Sequence, residues 1–295
     1  MKFFNHKIVS SLLVITVLAL LVTGCGKSST TSKTPPQIPP QETFLIPFDE
    51  FGSDGISAIS DQESQMKFAG LASSDSMQDI IQQAVLFDQT NWLHAAWNVG
   101  VWSVVVVVGL AVPVASFKAS FLNTPVQQAD GSWVWSYTVN VFGTYNAKLH
   151  GTYIDKGVRW EMNVSKQGEY TDFLWYYGES DLPATKGYWI IKENPQTQKD
   201  LLQIDWHRNI ADGTYDIKYT NIKSGAAENG GYIFAQYTKQ TPYDHSWDIY
   251  NKGQNNHTYI EWNSSTEAGR VKDYNKFFDN NWHCWDTSHM NCACP

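Results

Sequence analysis

The chain has 295 residues and a formal charge of −8, with 21 Lys and Arg against 29 Asp and Glu, so no general basic field exists to hold a nucleic-acid backbone. Hydrophobic residues at 42% and charged ones at 17% exclude global disorder and a many-spanning membrane protein. The unusual quantity is aromatic: 13 Trp, 15 Tyr and 14 Phe, residue types that suit half-buried strands and binding faces.

Met1 to Lys7 is a short positive segment, and Ile8 to Val22 is apolar and uncharged, the make-up of an export signal. It runs into Val22-Thr23-Gly24-Cys25, which resembles the lipobox of bacterial lipoproteins. The resemblance implies removal of residues 1–24, acylation at Cys25 and attachment to the membrane of the cell envelope. Two or three acyl chains give stable anchoring where a single one does not. Position 26 is Gly rather than Asp, so the inner-membrane retention signal of enterobacterial lipoproteins is missing; in a Gram-negative host the outer membrane is implied. Residues 25–47, which include the lipidated Cys25, are Ser/Thr/Pro-rich and are expected to act as a semi-rigid spacer. The remainder, 48–295, reads as a single domain with helices over 75–120 and a sheet over 132–294.

The helical part opens with Ser74 or Ser76 as a cap, acids in the first turn, and Ile80, Ile81, Ala84 and Val85 at helical spacing. Val99–Phe117 carries no charge. Its length and continuity suit a helix buried on all sides and bent near Gly109 or Pro113 better than a strand or a membrane-associated segment.

From Ser132 the period changes to two. Trp133, Trp135, Tyr137, Val139 and Val141 alternate with other residues, as do Leu202, Ile204 and Trp206, and then Tyr215, Ile217 and Tyr219. Turn signals such as Asp155-Lys156-Gly157, Asp212-Gly213 and Asn229-Gly230-Gly231 separate the runs. The expected fold is α+β: an up-and-down antiparallel meander of roughly ten to twelve strands, forming a curved sheet or partial barrel packed on buried N-terminal helices. In architecture alone, this is similar to the LolA/LolB-type lipoprotein carriers, where helices lid a half-open barrel.

Chemistry-bearing residues cluster at the C-terminus, where Cys284, Cys292 and Cys294 stand among His283, Asp286 and His289. The spacing lacks the paired knuckles of a zinc finger, and an exported chain meets an oxidising compartment. A disulfide from Cys284 to Cys292 or Cys294 is therefore expected, with one thiol left over and no metal or other cofactor. Asp205 and His207 share one face of a strand, the minimum of an acid–base pair, but no activated nucleophile can be placed beside them. The phosphate-loop, metalloprotease and serine-hydrolase motifs do not occur in the sequence. Trp175, Tyr176, Tyr177, Tyr243, Trp247 and Tyr250, where both faces of a strand carry aromatics, are the candidate binding surface. The sequence thus points to a non-catalytic envelope lipoprotein. Its partner would be an apolar small molecule between sheet and helices, or else a glycan or protein met through exposed aromatics; a hydrolase of scattered carboxylates is the remaining alternative.

Overall fold

The computed structural model describes residues 34–46, 48 and 90–295. The expected export signal, Cys25 and the start of the expected helical region at 75–89 lie outside the described residues. Among the described residues, helix α1 (Thr90–Gly109) is followed by α2 (Ala111–Ser120), with the break at Leu110. The break falls there because Pro113 has no N–H to donate to the Gly109 carbonyl, while the first turn of a new helix tolerates proline. Among the described residues no helix is long and apolar enough to cross a membrane.

The sheet dominates. Its first seven strands are β1 (Val126–Gln127), β2 (Trp133–Asn140), β3 (Thr144–Ile154), β4 (Gly157–Lys166), β5 (Tyr170–Ser180), β6 (Lys186–Lys192) and β7 (Asp200–Asn209). The chain continues through β8 (Thr214–Asn221), β9 (Tyr232–Tyr237), β10 (His245–Asn251) and β11 (Asn256–Trp262). It ends with β12 (Gly269–Asp273), the one-turn helix α3 (Tyr274–Phe277), β13 (His283–Trp285) and β14 (Asn291–Cys292). Each strand pairs antiparallel with the next, giving an open, curved, 14-stranded meander in strict chain order. The strand count exceeds the expected ten to twelve because β1, β13 and β14 are too short to show a period.

One face of this sheet is built from indoles. Trp135, Trp160, Trp189, Trp206, Trp262 and Trp285 are all nearly or fully buried. Room for them comes from glycines on the adjoining strands. The register pairs Gly151 with Trp160, Gly178 with Trp189, Gly187 with Trp206 and Gly269 with Trp285. A Cβ at any of these glycines would stand between 2.4 and 2.8 Å from the paired indole ring, closer than side chains approach each other.

The stretch expected as a spacer is in its second half part of this core. Pro36 lies against the Gly151–Trp160 pair, Phe44 is fully buried, and Ile46 and Phe48 are nearly so. Phe44 stacks on Phe117 of α2 at 4.7 Å and meets Tyr176 at 4.9 Å and Trp189 at 5.8 Å. The Tyr219 hydroxyl donates to the Phe44 carbonyl at 2.8 Å and accepts from the Ile46 amide at 3.1 Å. Phe48 reaches Trp247 at 5.8 Å. Residues 36–46 and Phe48 therefore lie across the strands, from β3 and β4 by way of β5, β6 and β8 to β10. A proline-rich segment suits this course, since prolines lack an N–H that burial would orphan.

Candidate functional site

A cavity of about 650 Å³ opens between α1 and the strands on the C-terminal side of the sheet. Its apolar wall is formed by Trp97, Trp102 and Leu110 with Leu201, Leu202 and Ile249. Its other lining is polar, and strand register explains why. In an antiparallel meander, the end of β8, the end of β10, the start of β11 and the end of β12 all lie at one edge of the sheet. At that edge the alternation turns amides and hydroxyls toward the cavity: Asn221, Asn251, Asn256, Thr258 and Asp273. Asn251 is paired directly with Asn256, and Thr258 with Asp273.

Asp273 is the hub of this wall. Its side chain accepts from Asn256 Nδ2 at 2.8 Å and Thr258 Oγ1 at 2.7 Å, and it caps α3 by accepting from the Asn275 and Lys276 amides. His94 of α1 meets it through Nε2 at 2.8 Å, which ties helix to sheet. Burial alone would raise the carboxyl pKa. The bonds from His94, Thr258 and Asn256 outweigh burial and hold it well below the usual carboxylate range. At Nε2, His94 meets Asp273 at 2.8 Å and Asn98 at 3.4 Å.

The six aromatic candidates are not brought together. Trp175, Tyr176 and Trp247 are buried in the core, which corrects their placement on a binding surface. The reason in β5 is a bulge: Met162 pairs with Tyr176 and Asn163 with Leu174, leaving Trp175 as the extra residue. Two consecutive aromatics then turn to the same side. Trp247 is an ordinary inward position that meets Trp262 at 4.6 Å. Tyr177 and Tyr243 are half-buried, with the Lys192 ammonium 5.9 Å and the Arg270 guanidinium 4.9 Å from their rings. Tyr250 lines the cavity rim, while its ring stacks on His257 at 4.5 Å. Elsewhere on the outer side Lys218 sits 3.8 Å over Tyr232, Lys272 4.8 Å over Tyr259 and Arg270 4.2 Å over Trp282, so cations already occupy these ring faces.

Asp205 and His207 do not meet either. Asp205 accepts from Gln203 at 2.9 Å, and His207 pairs with Asp216 on β8 at 2.9 Å. At the C-terminus Cys284 and Cys294 form a disulfide, and Cys292 is an exposed thiol whose pKa is raised by partial burial and by Asp286. Among the described residues no group of His, Cys, Asp and Glu is arranged to hold a metal ion.

Of the cavity residues, the sequence reading singles out only Tyr250. His94 and Asn98 on α1 lie far in the chain from Asp273 on β12, and only the register of β8 to β12 shows that the amides share an edge. Compared with known proteins, the chain matches no family model, no curated protein and no solved structure.

Proposed function

We propose that this is a lipid-anchored envelope protein, acylated at Cys25, that holds an amphiphilic small molecule between its curved sheet and helix α1. The single observation that carries the reading is the cavity of about 650 Å³, a size typical of small-molecule sites, with an indole-rich apolar wall and a few placed polar groups. We read the role as binding rather than catalysis because, among the described residues, the hydroxyl beside the His94–Asp273 pair, that of Thr258, donates to the carboxylate and not to the imidazole. A surface glycan module is the weaker reading, since the outer-face rings are capped by lysine and arginine.

Gentle extraction from native membranes followed by mass spectrometry tests the proposal. A co-purifying amphiphile at near one per chain is the expected result, and its loss on filling the cavity by a Thr258→Trp substitution would support the location. Protein that carries no small molecule, and takes up none from membrane lipid extracts, would refute it.

A further inference from the structure

We infer that the polar end of the cavity is built for an uncharged, hydroxyl-rich head of the saccharide class, an inference that rests on the amphiphile reading just given. Four carboxamides around the cavity each use one atom to fix the side chain. Asn98 Nδ2 donates to the His94 carbonyl at 2.9 Å and Asn256 Nδ2 to Asp273 at 2.8 Å. Asn221 Oδ1 accepts from the Lys223 amide at 2.9 Å and Asn251 Oδ1 from the Gln254 amide at 3.2 Å. Among the described residues this leaves two acceptors, Oδ1 of Asn98 and Asn256, and two donors, Nδ2 of Asn221 and Asn251, and the Gln254 and Asn275 side chains on the same lining add one carboxamide each with neither atom bonded.

That mixture matches hydroxyl groups, each of which donates once and accepts twice. An anionic head fits worse. It would face the fixed charges of Asp273 and Glu228, with Lys276 as the cation on the same lining. A cationic head fits no better: Asp273 already takes five donors, so an ammonium group would meet Glu228 alone and could not accept from the Asn221 and Asn251 amide nitrogens. Trp97 and Trp102, on the helix side, supply the flat apolar surface that the C–H face of a sugar ring stacks on. The amides are held before any ligand arrives, which lowers the ordering cost of binding.

The test uses the mature lipidated chain in lipid nanodiscs, titrated calorimetrically against empty nanodiscs. The probes are octyl maltoside, octylphosphocholine and octanoate, which share one tail, and maltose, which has none. Octyl maltoside is expected to bind about tenfold more tightly than the other two octyl probes and than maltose. Asn98→Leu combined with Gln254→Leu should abolish the preference for the maltoside while leaving the melting temperature unchanged; Asn98→Gln should retain it. Equal binding of the three octyl probes would overturn the saccharide assignment and leave the amphiphile reading standing. Maltose binding as tightly as octyl maltoside would keep the saccharide and overturn the amphiphile. Binding of none of the four would overturn both. A maltoside preference that survives the double substitution would overturn the assignment of these amides.

Discussion

The two halves of the inner face of the sheet solve one problem differently. Between β2 and β6 the chain fills the space itself, with Phe44, Phe117 and Pro36 seated on Trp160, Tyr176 and Trp189. Between β8 and β12 the same kind of strand carries Asn221, Asn251, Asn256 and Asp273 at its inward end positions, and a cavity remains under α1. Side-chain chemistry decides the difference. Indoles and prolines exclude water and pack to high density, whereas an amide wall is stable when its polar atoms are bonded to each other or to something that enters. The first half is filled by the chain itself, and the second, although Trp247, Trp262 and Trp285 are buried there too, keeps an open space lined by amides.

Substitutions break or sharpen that contrast. The largest effect belongs to Phe44→Ala, which removes a fully buried ring from the filled half and should cost about 3–5 kcal/mol in chemical denaturation. Ligand affinity, measured well below the transition, should stay near that of the parent chain. An effect on affinity as large as that on stability would dissolve the distinction between the halves.

Asp273→Asn acts on the other half, with an expected loss of about 2–3 kcal/mol at neutral pH as charge-assisted bonds are weakened. Because the folded-state carboxyl pKa is depressed, its stabilisation is present above the unfolded pKa and is lost as pH falls toward the folded value. The parent chain should therefore lose stability below about pH 4, the ordinary carboxylate range, more steeply than the variant does. Parallel stability curves for the two proteins over that acid range would contradict the role assigned to Asp273.

Gly151→Ala probes the close packing of the filled half. The added methyl meets Trp160 at 2.8 Å and Pro36 at 3.0 Å, so a loss of about 1–3 kcal/mol is expected in thermal unfolding. A neutral result would mean that the indoles are less tightly seated than the register implies. The smallest effect is that of Tyr176→Phe. The hydroxyl is buried without a hydrogen-bond partner among the described residues, so its removal should change stability by less than about 0.5 kcal/mol, or raise it. A substantial loss would reveal a partner for that oxygen.

The strands most legible in sequence were those whose inward positions are large. Trp133–Asn140 and Leu202–Trp206 show the two-residue period plainly, whereas β3 and β12 hide it. Ala147 and Gly151 of β3, and Gly269 of β12, are inward but small, because the neighbouring indoles need the space; Asp273 is inward and charged, because it is the hub of a hydrogen-bond network. The proline-rich stretch hid its role in the opposite way, since a composition that reads as spacer also suits a segment laid across a sheet without strand partners. Trp175 and Tyr176 were misread because a period of two cannot register a bulge. The cavity was least legible of all. Its residues come from α1 and five strands, so no local spacing announces them.

The most direct test of the account is a crystal structure of the protein purified from its own host without ligand exchange. The account predicts continuous non-protein density in the cavity, with a polar end within hydrogen-bonding distance of Asn221, Asn251 and Asn256 and an apolar part against Trp102. Helix α1 collapsed onto β10 to β12, with the amides bonded to one another and no space between, would contradict it.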